Sequence, residues 1–357
     1  MSNNRLTKLR EAMKQRNLEA MFITSGINRR YLTGFTGTSG FVLVTHYEAY
    51  FLTDFRYMVQ ASEQVQGYSI IEHAPKVMET VGQLLASLHI KELGFEQDNV
   101  SFGTYKSYEE QLQGIKLIPV SGLVEGLRIY KDEQEIALMQ KAADLADLTF
   151  NHMLTVLKPG MIERDAALEM EFFMRRNGAT SSSFDTIIAS GERSALPHGV
   201  ASDRVIQNDE LITMDFGALL NGYCSDLTRT VAIGNPAPKL KEIYNIVLEA
   251  QLHAVEHIRP GMTGKEADAL ARDIIARYGY GDYFGHSTGH GLGMEVHEAP
   301  RLSKLSDDIL KPGMVVTVEP GIYLPGIGGV RIEDDCLITE NGVQRLTHSS
   351  KEYTVLR

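Results

Sequence analysis

Four acidic residues stand in two matched pairs in the second half of the 357-residue chain. Asp215 ends the apolar run Leu211 to Met214, and Asp226 follows 11 residues on, inside Tyr223-Cys224-Ser225-Asp226-Leu227-Thr228. Glu319 ends Val315 to Val318, and Glu333 follows 14 residues on, inside Val330-Arg331-Ile332-Glu333. A carboxylate closing a β-branched run is costly to desolvate by itself, so four that converge require positive charge beside them. Any one of these acids could cap a strand or face solvent; as a matched set they fit two divalent cations. The segment Gly285 to Glu298 adds His286, His290 and His297, three of eleven histidines within twelve residues, set among glycines that let backbone approach closely. Imidazole is both a common metal ligand and a proton shuttle near neutrality. His198, in Leu196-Pro197-His198-Gly199, lies 17 residues before Asp215 and is a further candidate, although alone it reads as a loop histidine.

Ligation by oxygens with one imidazole suits manganese, cobalt, iron or zinc and differs from the thiolate-rich sites that select zinc or copper. Two such ions about 3.5 to 4 Å apart can bridge a water, lower its pKa and polarise a scissile carbonyl, so hydrolysis is the favoured reaction class. Cys224 and Cys336 sit in apolar, strand-like stretches close to the acids. Strand alternation puts Cys224 on the face of Asp226 but Cys336 on the opposite face from Glu333, and packing is the expected job of both.

Elements that could carry these residues are visible in the pattern. The length favours two domains. The first 120 or so residues alternate helix and strand signals: a helix over Arg5 to Arg16, then strands Ala20 to Thr24, Phe41 to Thr45 and Ala49 to Thr53. A long helix is expected over Asp132 to Leu157, from apolar residues three and four apart, ending at Pro159-Gly160. An internal echo follows. Leu157-Lys158-Pro159-Gly160-Met161 recurs as Ile258-Arg259-Pro260-Gly261-Met262 at an offset of 101, and Thr213-Met214-Asp215-Phe216-Gly217 recurs as Thr317-Val318-Glu319-Pro320-Gly321 at 104. A third Pro312-Gly313-Met314 also occurs. The ordered pair of matches implies a duplicated unit of two helices and a strand hairpin, whose two hairpins are expected to merge into one sheet backed by helices on one side.

A formal charge of -11, with lysine and arginine dispersed, disfavours a nucleic-acid partner. No apolar run is long enough to span a bilayer, and the polar N-terminus does not read as a signal peptide, so no membrane partner is expected. Two cysteines are too few for a disulfide framework, which suits the cytoplasm.

Met214-Asp215-Phe216-Gly217, Gly289-His290-Gly291-Leu292-Gly293, Val318-Glu319-Pro320-Gly321-Ile322-Tyr323 and Val330-Arg331-Ile332-Glu333 together resemble the pita-bread metallopeptidases, the group of aminopeptidase P, prolidase and methionine aminopeptidase. The resemblance runs through most of the chain. It implies a two-metal centre on Asp215, Asp226, His290, Glu319 and Glu333, with manganese or cobalt foremost and zinc or iron as alternatives. Glu319 would also accept the proton of the attacking water, while His198 and His297 would contact substrate and stabilise the tetrahedral intermediate. His286, Tyr323 and Arg331 fit positions of the proline-specific branch; the ordinary alternative for Arg331 is a salt bridge to Asp334 or Glu333. Asn28 to Phe35 and Thr53-Asp54-Phe55-Arg56-Tyr57 resemble the N-terminal domain of the same branch and of creatinase, with Phe55 where glycine is usual. The expected architecture is an α/β domain over residues 1–126 and a pseudo-twofold α+β pita-bread domain over 127–357. The expected activity is hydrolysis of the bond between an N-terminal residue and proline, as an Xaa-Pro aminopeptidase or dipeptidase working as a cytoplasmic homodimer. A non-catalytic binding protein of the same fold, a methionine aminopeptidase and the metal-free creatinase chemistry are the competing readings; the complete ligand set opposes the first and last.

Overall fold

The computed structural model describes residues 2–356. The chain divides into two compact units, Met1–Arg128 and Ile129–Arg357.

The first unit has strands β1 (Ala20–Ile23), β2 (Phe41–Thr45), β3 (Ala49–Thr53), β4 (Ser69–Glu72), β5 (Glu92–Glu96) and β6 (Lys116–Val120). They form one sheet in the order β4-β3-β2-β1-β5-β6, antiparallel through β1-β2-β3 and parallel elsewhere. Helices α1 (Ser2–Gln15), α2 (Gly26–Thr33), α3 (Met58–Gln64), α4 (Val77–Ser87), α5 (Phe102–Gln111) and the short α6 (Glu125–Arg128) complete the expected α/β unit. Phe22, Leu43, Val81 and Leu93 belong to its buried core.

The second unit is built twice. Its first half has α7 (Glu133–Val156), α8 (Glu163–Arg176) and strands β7 (Ser181–Ser182), β8 (Ile187–Ser190), β9 (Glu210–Phe216), β10 (Ala218–Leu220), β11 (Tyr223–Cys224) and β12 (Leu227–Ile233). The second half has α9 (Pro238–His257), α10 (Gly264–Arg277) and strands β13 (Gly289–Gly291), β14 (Glu298–Leu302), β15 (Val315–Val318), β16 (Gly321–Leu324), β17 (Gly328–Arg331), β18 (Asp334–Thr339) and β19 (Gly342–Arg345), with β20 (Val355–Leu356) at the end. Capping boxes start two of the helices: Asp132 and Glu135 exchange bonds at α7, and Thr263 and Glu266 do the same at α10.

The echoed Pro-Gly-Met turns are the same structure twice. Gly160 and Gly261 take φ of 88° and 92°, a region that glycine enters without strain. Their amides donate to Ile206 O at 2.9 Å and Leu310 O at 2.8 Å, and Met161 O and Met262 O accept back from Ile206 and Leu310, each at 2.8 Å. The third Pro-Gly-Met belongs to another turn, the one entering β15: Gly313 has φ 88°, and its counterpart before β9, at the offset of 104, is Asp209 with φ 62°. The repeat is therefore twofold, and the extra match is a shared turn type.

Alternation sends Ile212, Met214 and Phe216 of β9 into a core with Met153 and Met170 of α7 and α8, which leaves Thr213 and Asp215 on the opposite face. Val316 and Val318 of β15 pack likewise with Val247 and Ala271 of α9 and α10, leaving Thr317 and Glu319 opposite. Helices thus back each sheet on the side away from the acids. The expected single sheet does not form. The halves keep separate sheets, β20-β12-β9-β8 and β14-β13-β15-β18-β19, with β16-β17 as a two-stranded ribbon. Pro320 has no N–H to continue the β15 ladder. Where β17 meets β12, a side chain replaces the ladder: Thr230 Oγ1 donates to Arg331 O at 3.0 Å and accepts from Arg331 N at 3.3 Å.

Removal of the α10 cap isolates one local term. Thr263→Ala should cost about 1 kcal/mol and lower the melting temperature by roughly 2 to 4 °C without loss of activity, read by calorimetry beside hydrolysis. An unchanged melting temperature would show that the cap contributes nothing net.

Candidate active site

The acids occupy strand ends and strand breaks. Asp215 lies in β9 opposite Thr228 and Ile187 of the flanking strands. Asp226 immediately precedes β12, and its amide donates to Asp335 Oδ2 at 3.0 Å. Glu319 and Glu333 fall where the chain passes between β15 and β16 and between β17 and β18. Their amides donate to Thr288 O at 2.7 Å and Thr228 O at 3.1 Å, and the Thr228 hydroxyl donates to Glu333 Oε2 at 2.5 Å. His290 enters on β13 between two glycines. A Cβ at Gly289 would stand 1.9 Å from Thr317 O, and one at Gly291 would stand 2.2 Å from Ala299 O. Only glycine lets β13 lie that close to β15 and β14.

These segments bring the five expected ligands to one cleft of about 350 Å³. Carboxylate oxygens of Asp215, Asp226 and Glu333 lie within 4.8 Å of one another. His290 Nε2 is 3.3 Å from Glu319 Oε1 and 3.7 Å from Asp226 Oδ2. Burial, and then the charge of neighbouring acids, pushes the carboxyls of Asp226 and Glu333 far above the ordinary carboxylate range. Burial raises Glu319 to about 8 against the opposing pull of Arg331, with Asp215 adding to the rise.

Two details fit a cation among these groups. Burial holds the His290 imidazole neutral, lowering its pKa to about 4, and its Nδ1 donates to Gly291 O at 3.1 Å. The Nε2 lone pair therefore faces two carboxylate oxygens, an arrangement that is repulsive unless positive charge sits between them. Asp215 Oδ1, moreover, is buried without a hydrogen-bond partner, while Oδ2 accepts from Arg331 Nη2 at 2.5 Å. Four carboxylates, one imidazole and an open lone pair suit divalent metals of the manganese-to-zinc series.

His198, His286, His297 and Arg331 line the same cleft. Tyr323 lies behind them, buried, and reaches the cleft through its neighbours. His286 Nδ1 is 2.8 Å from Ser287 O and its Nε2 is 2.7 Å from the Tyr323 hydroxyl, which also accepts from Arg331 Nη1 at 2.8 Å. Burial, reinforced by the charge of Arg331, lowers the His286 pKa to about 4, so a neutral ring accepts a hydrogen bond from the tyrosine hydroxyl. His297 packs edge-on against His290 with ring centres 4.4 Å apart. Its pKa is lowered by burial first and then by Arg301. Arg331 does not pair with Asp334 or Glu333; besides Asp215 and Tyr323 it donates to Thr228 Oγ1 at 3.1 Å and Pro197 O at 3.2 Å. Asp334 is held instead by Arg229 at 2.8 Å and Lys351 at 2.6 Å. Both cysteines are buried free thiols, as expected.

Several supporting groups had no sequence signal. Thr228, Asp335 and Thr288 act through contacts 105, 109 and 20 residues away in the chain. Arg301 lines the cleft, exposed, and its guanidinium has no partner among the described residues.

Comparison with known proteins agrees with this arrangement. Residues 137–340 match the model of metallopeptidase family M24, and residues 5–130 match the creatinase/prolidase N-terminal domain. A solved Xaa-Pro dipeptidase from Bacillus anthracis is 52% identical with a TM-score of 0.98, each chain covered over 100%. An Xaa-Pro dipeptidase of Pyrococcus furiosus is 42% identical over 98% of this chain and 99% of its own. An X-Pro aminopeptidase structure from Thermotoga maritima is 37% identical with a TM-score of 0.91, covering 97% of this chain and 99% of that one. The chain therefore belongs to metallopeptidase family M24, as a hydrolase that uses divalent metal and carries a creatinase/prolidase N-terminal domain.

Proposed function

We propose that this protein is an Xaa-Pro dipeptidase, hydrolysing the bond between a first residue and a C-terminal proline. The observation that carries this reading is the convergence of four carboxylates and one imidazole beneath a cleft that also holds Arg301. Both Xaa-Pro dipeptidase relatives described above match nearly the whole chain. The choice of dipeptide over longer peptide rests on Arg301, a cation in the cleft wall free to take the carboxylate of a terminal proline. An Xaa-Pro bond has no N–H for a general peptidase to grip, so a dedicated site has reason to exist.

Asp215, Asp226, His290, Glu319 and Glu333 would hold two divalent ions, with manganese or cobalt proposed first and zinc or iron as alternatives. When bound, such a pair polarises a carbonyl and acidifies water. The remaining work falls to side chains. Glu319 takes the proton of the attacking water. His297 and His198 donate hydrogen bonds to the developing oxyanion. Arg331 fixes Asp215 so that its other oxygen faces the cleft, and it holds Tyr323 against His286, which presents a neutral ring to the proline. A homodimer working in the cytoplasm completes the proposal. Its support is the resemblance already described and two buried free thiols, which suit a reducing compartment.

The substrate assignment is tested with Gly-Pro, Gly-Pro-Gly and Met-Ala. Gly-Pro alone should be cleaved, and Arg301→Met should raise its KM by roughly tenfold with kcat little changed. Release of glycine from Gly-Pro-Gly at a comparable rate makes the protein an aminopeptidase, and cleavage of Met-Ala alone makes it a methionine aminopeptidase. Glu319→Ala and Asp226→Asn should abolish turnover in folded protein, whereas His297→Ala should lower kcat by about 100- to 1,000-fold at unchanged metal content. Metal loss equal to the activity loss would make His297 a ligand.

Stability should report the cations independently. Glu319, raised to about 8 in the metal-free chain, favours folding below the ordinary carboxylate range, and that contribution declines as pH climbs toward its folded value. Asp226 and Glu333 are shifted in the same direction. The melting temperature of metal-free protein should accordingly fall between about pH 5 and pH 8, and manganese should restore it more at the upper end. A flat profile for the metal-free protein would contradict the clustering of uncompensated acids.

A further inference from the structure

The irregular segment between α10 and β13 carries His286 and delivers His290 to the cleft. It is gripped from behind by α10 itself. Asp268 and Arg272, one turn apart, form a two-bonded ion pair, Nε to Oδ2 at 2.6 Å and Nη2 to Oδ1 at 2.8 Å, with Asp268 1% exposed. Neither partner is committed to the other alone. Arg272 Nη1 donates to Phe284 O at 2.8 Å and Nη2 to His286 O at 2.7 Å, with the guanidinium 4.1 Å from the Phe284 ring centre. Asp268 Oδ1 accepts from Thr288 N at 3.0 Å and Thr288 Oγ1 at 2.8 Å. Residues 284, 286 and 288 are thus tied in turn to one helix.

We propose that Arg272, anchored by Asp268, is a positioning residue that holds His286 in its substrate-facing place against Tyr323. The proposal rests on the reading of His286 as a contact for the proline substrate. The physical case is that a buried ion pair adds little net stability, because desolvation offsets most of the attraction. What the planar guanidinium supplies is direction: a fork that binds the carboxylate and two carbonyls together, which an ammonium cannot reproduce. Those carbonyls belong to an irregular stretch without a ladder partner and require a donor.

The repeat gives an internal control. At the offset of 101 that relates α8 to α10, the positions of Asp268 and Arg272 are held by Ala167 and Glu171, so the pair is no part of the shared scaffold. The first half holds its own histidine-bearing loop by a different acid. Glu163, fully buried on α8, accepts from Ser190 N at 2.8 Å and Ser202 Oγ at 2.6 Å, bracketing the loop of His198. Each half therefore ties its histidine segment to its second helix, with residues particular to that half.

The test uses full-length, metal-loaded protein and Gly-Pro. Arg272→Lys should raise KM by about tenfold while kcat stays within about threefold and metal content is unchanged. Asp268→Asn, which weakens the anchor but keeps an acceptor for Thr288, should move KM the same way and serves if the lysine variant does not fold. Thr263→Ala on the same helix should lower the melting temperature and leave KM alone. In the His286→Ala background, Arg272→Lys should add little further rise in KM, because both act through one group. A normal KM in folded Arg272→Lys, or a loss of metal in step with turnover, overturns the proposal. If His286→Ala itself leaves KM and kcat unaltered, it is the reading of His286 as a substrate contact that fails, and the proposal goes with it.

Discussion

The second unit is organised around charges that repel one another. Asp215, Asp226 and Glu333 are brought within 4.8 Å of one another, and Glu319 meets them across His290, in one poorly solvated cleft, with Arg331 bonded directly to Asp215. Left alone, such acids would spread apart or take up protons. Their backbones are therefore held by bonds independent of the carboxylates: Asp226 through Asp335, Glu319 through Thr288, and Glu333 through Thr228. Arg229, 1% exposed, reinforces the last by donating to Thr228 O and Glu333 O while pairing with Asp334. Bonds of this kind fix the backbone of each of these ligands by contacts other than its own carboxylate, which is what preorganisation requires.

Duplication explains how so many acids can be placed with so few elements. Each half buries the apolar side of a strand pair against two helices and turns the other side toward its counterpart. The halves then diverge where chemistry demands it. β9 runs unbroken through Asp215, whereas β15 stops before Glu319 and Pro320, and that break releases β16 and β17 to carry Tyr323 and Arg331. A perfectly symmetric pair would offer two like carboxylate sets and no guanidinium.

Much of this was legible because its signals are local. The turn glycines, the helix from Asp132, the apolar runs ending in acids and the histidine cluster all depend on neighbours a few residues away, and each appears where its pattern placed it. The remainder depends on register between distant segments. Nothing near Arg331 announces that its guanidinium meets Asp215 116 residues earlier, and of the two local alternatives, Asp334 and Glu333, neither is its partner, Asp334 being held by Arg229 and Lys351. The single sheet failed for a similar reason: where β17 meets β12 the Thr230 hydroxyl, followed by one backbone bond from Glu333 to Thr228, stands where a continuous ladder was expected, and the identity of Thr230 alone does not reveal it.

The ligands come from segments that only the completed fold unites, since Asp226 and its support Asp335 are 109 residues apart. A cation shared between the halves would act as a removable cross-link closing a very long loop. Like a disulfide over such a span, it would lower the entropy of the opened chain more than a clasp between near neighbours could. Unlike a disulfide, it can be withdrawn by a chelator without any redox chemistry. The supply of metal in the cell would then govern how long each copy survives proteolysis as well as how fast it turns over substrate.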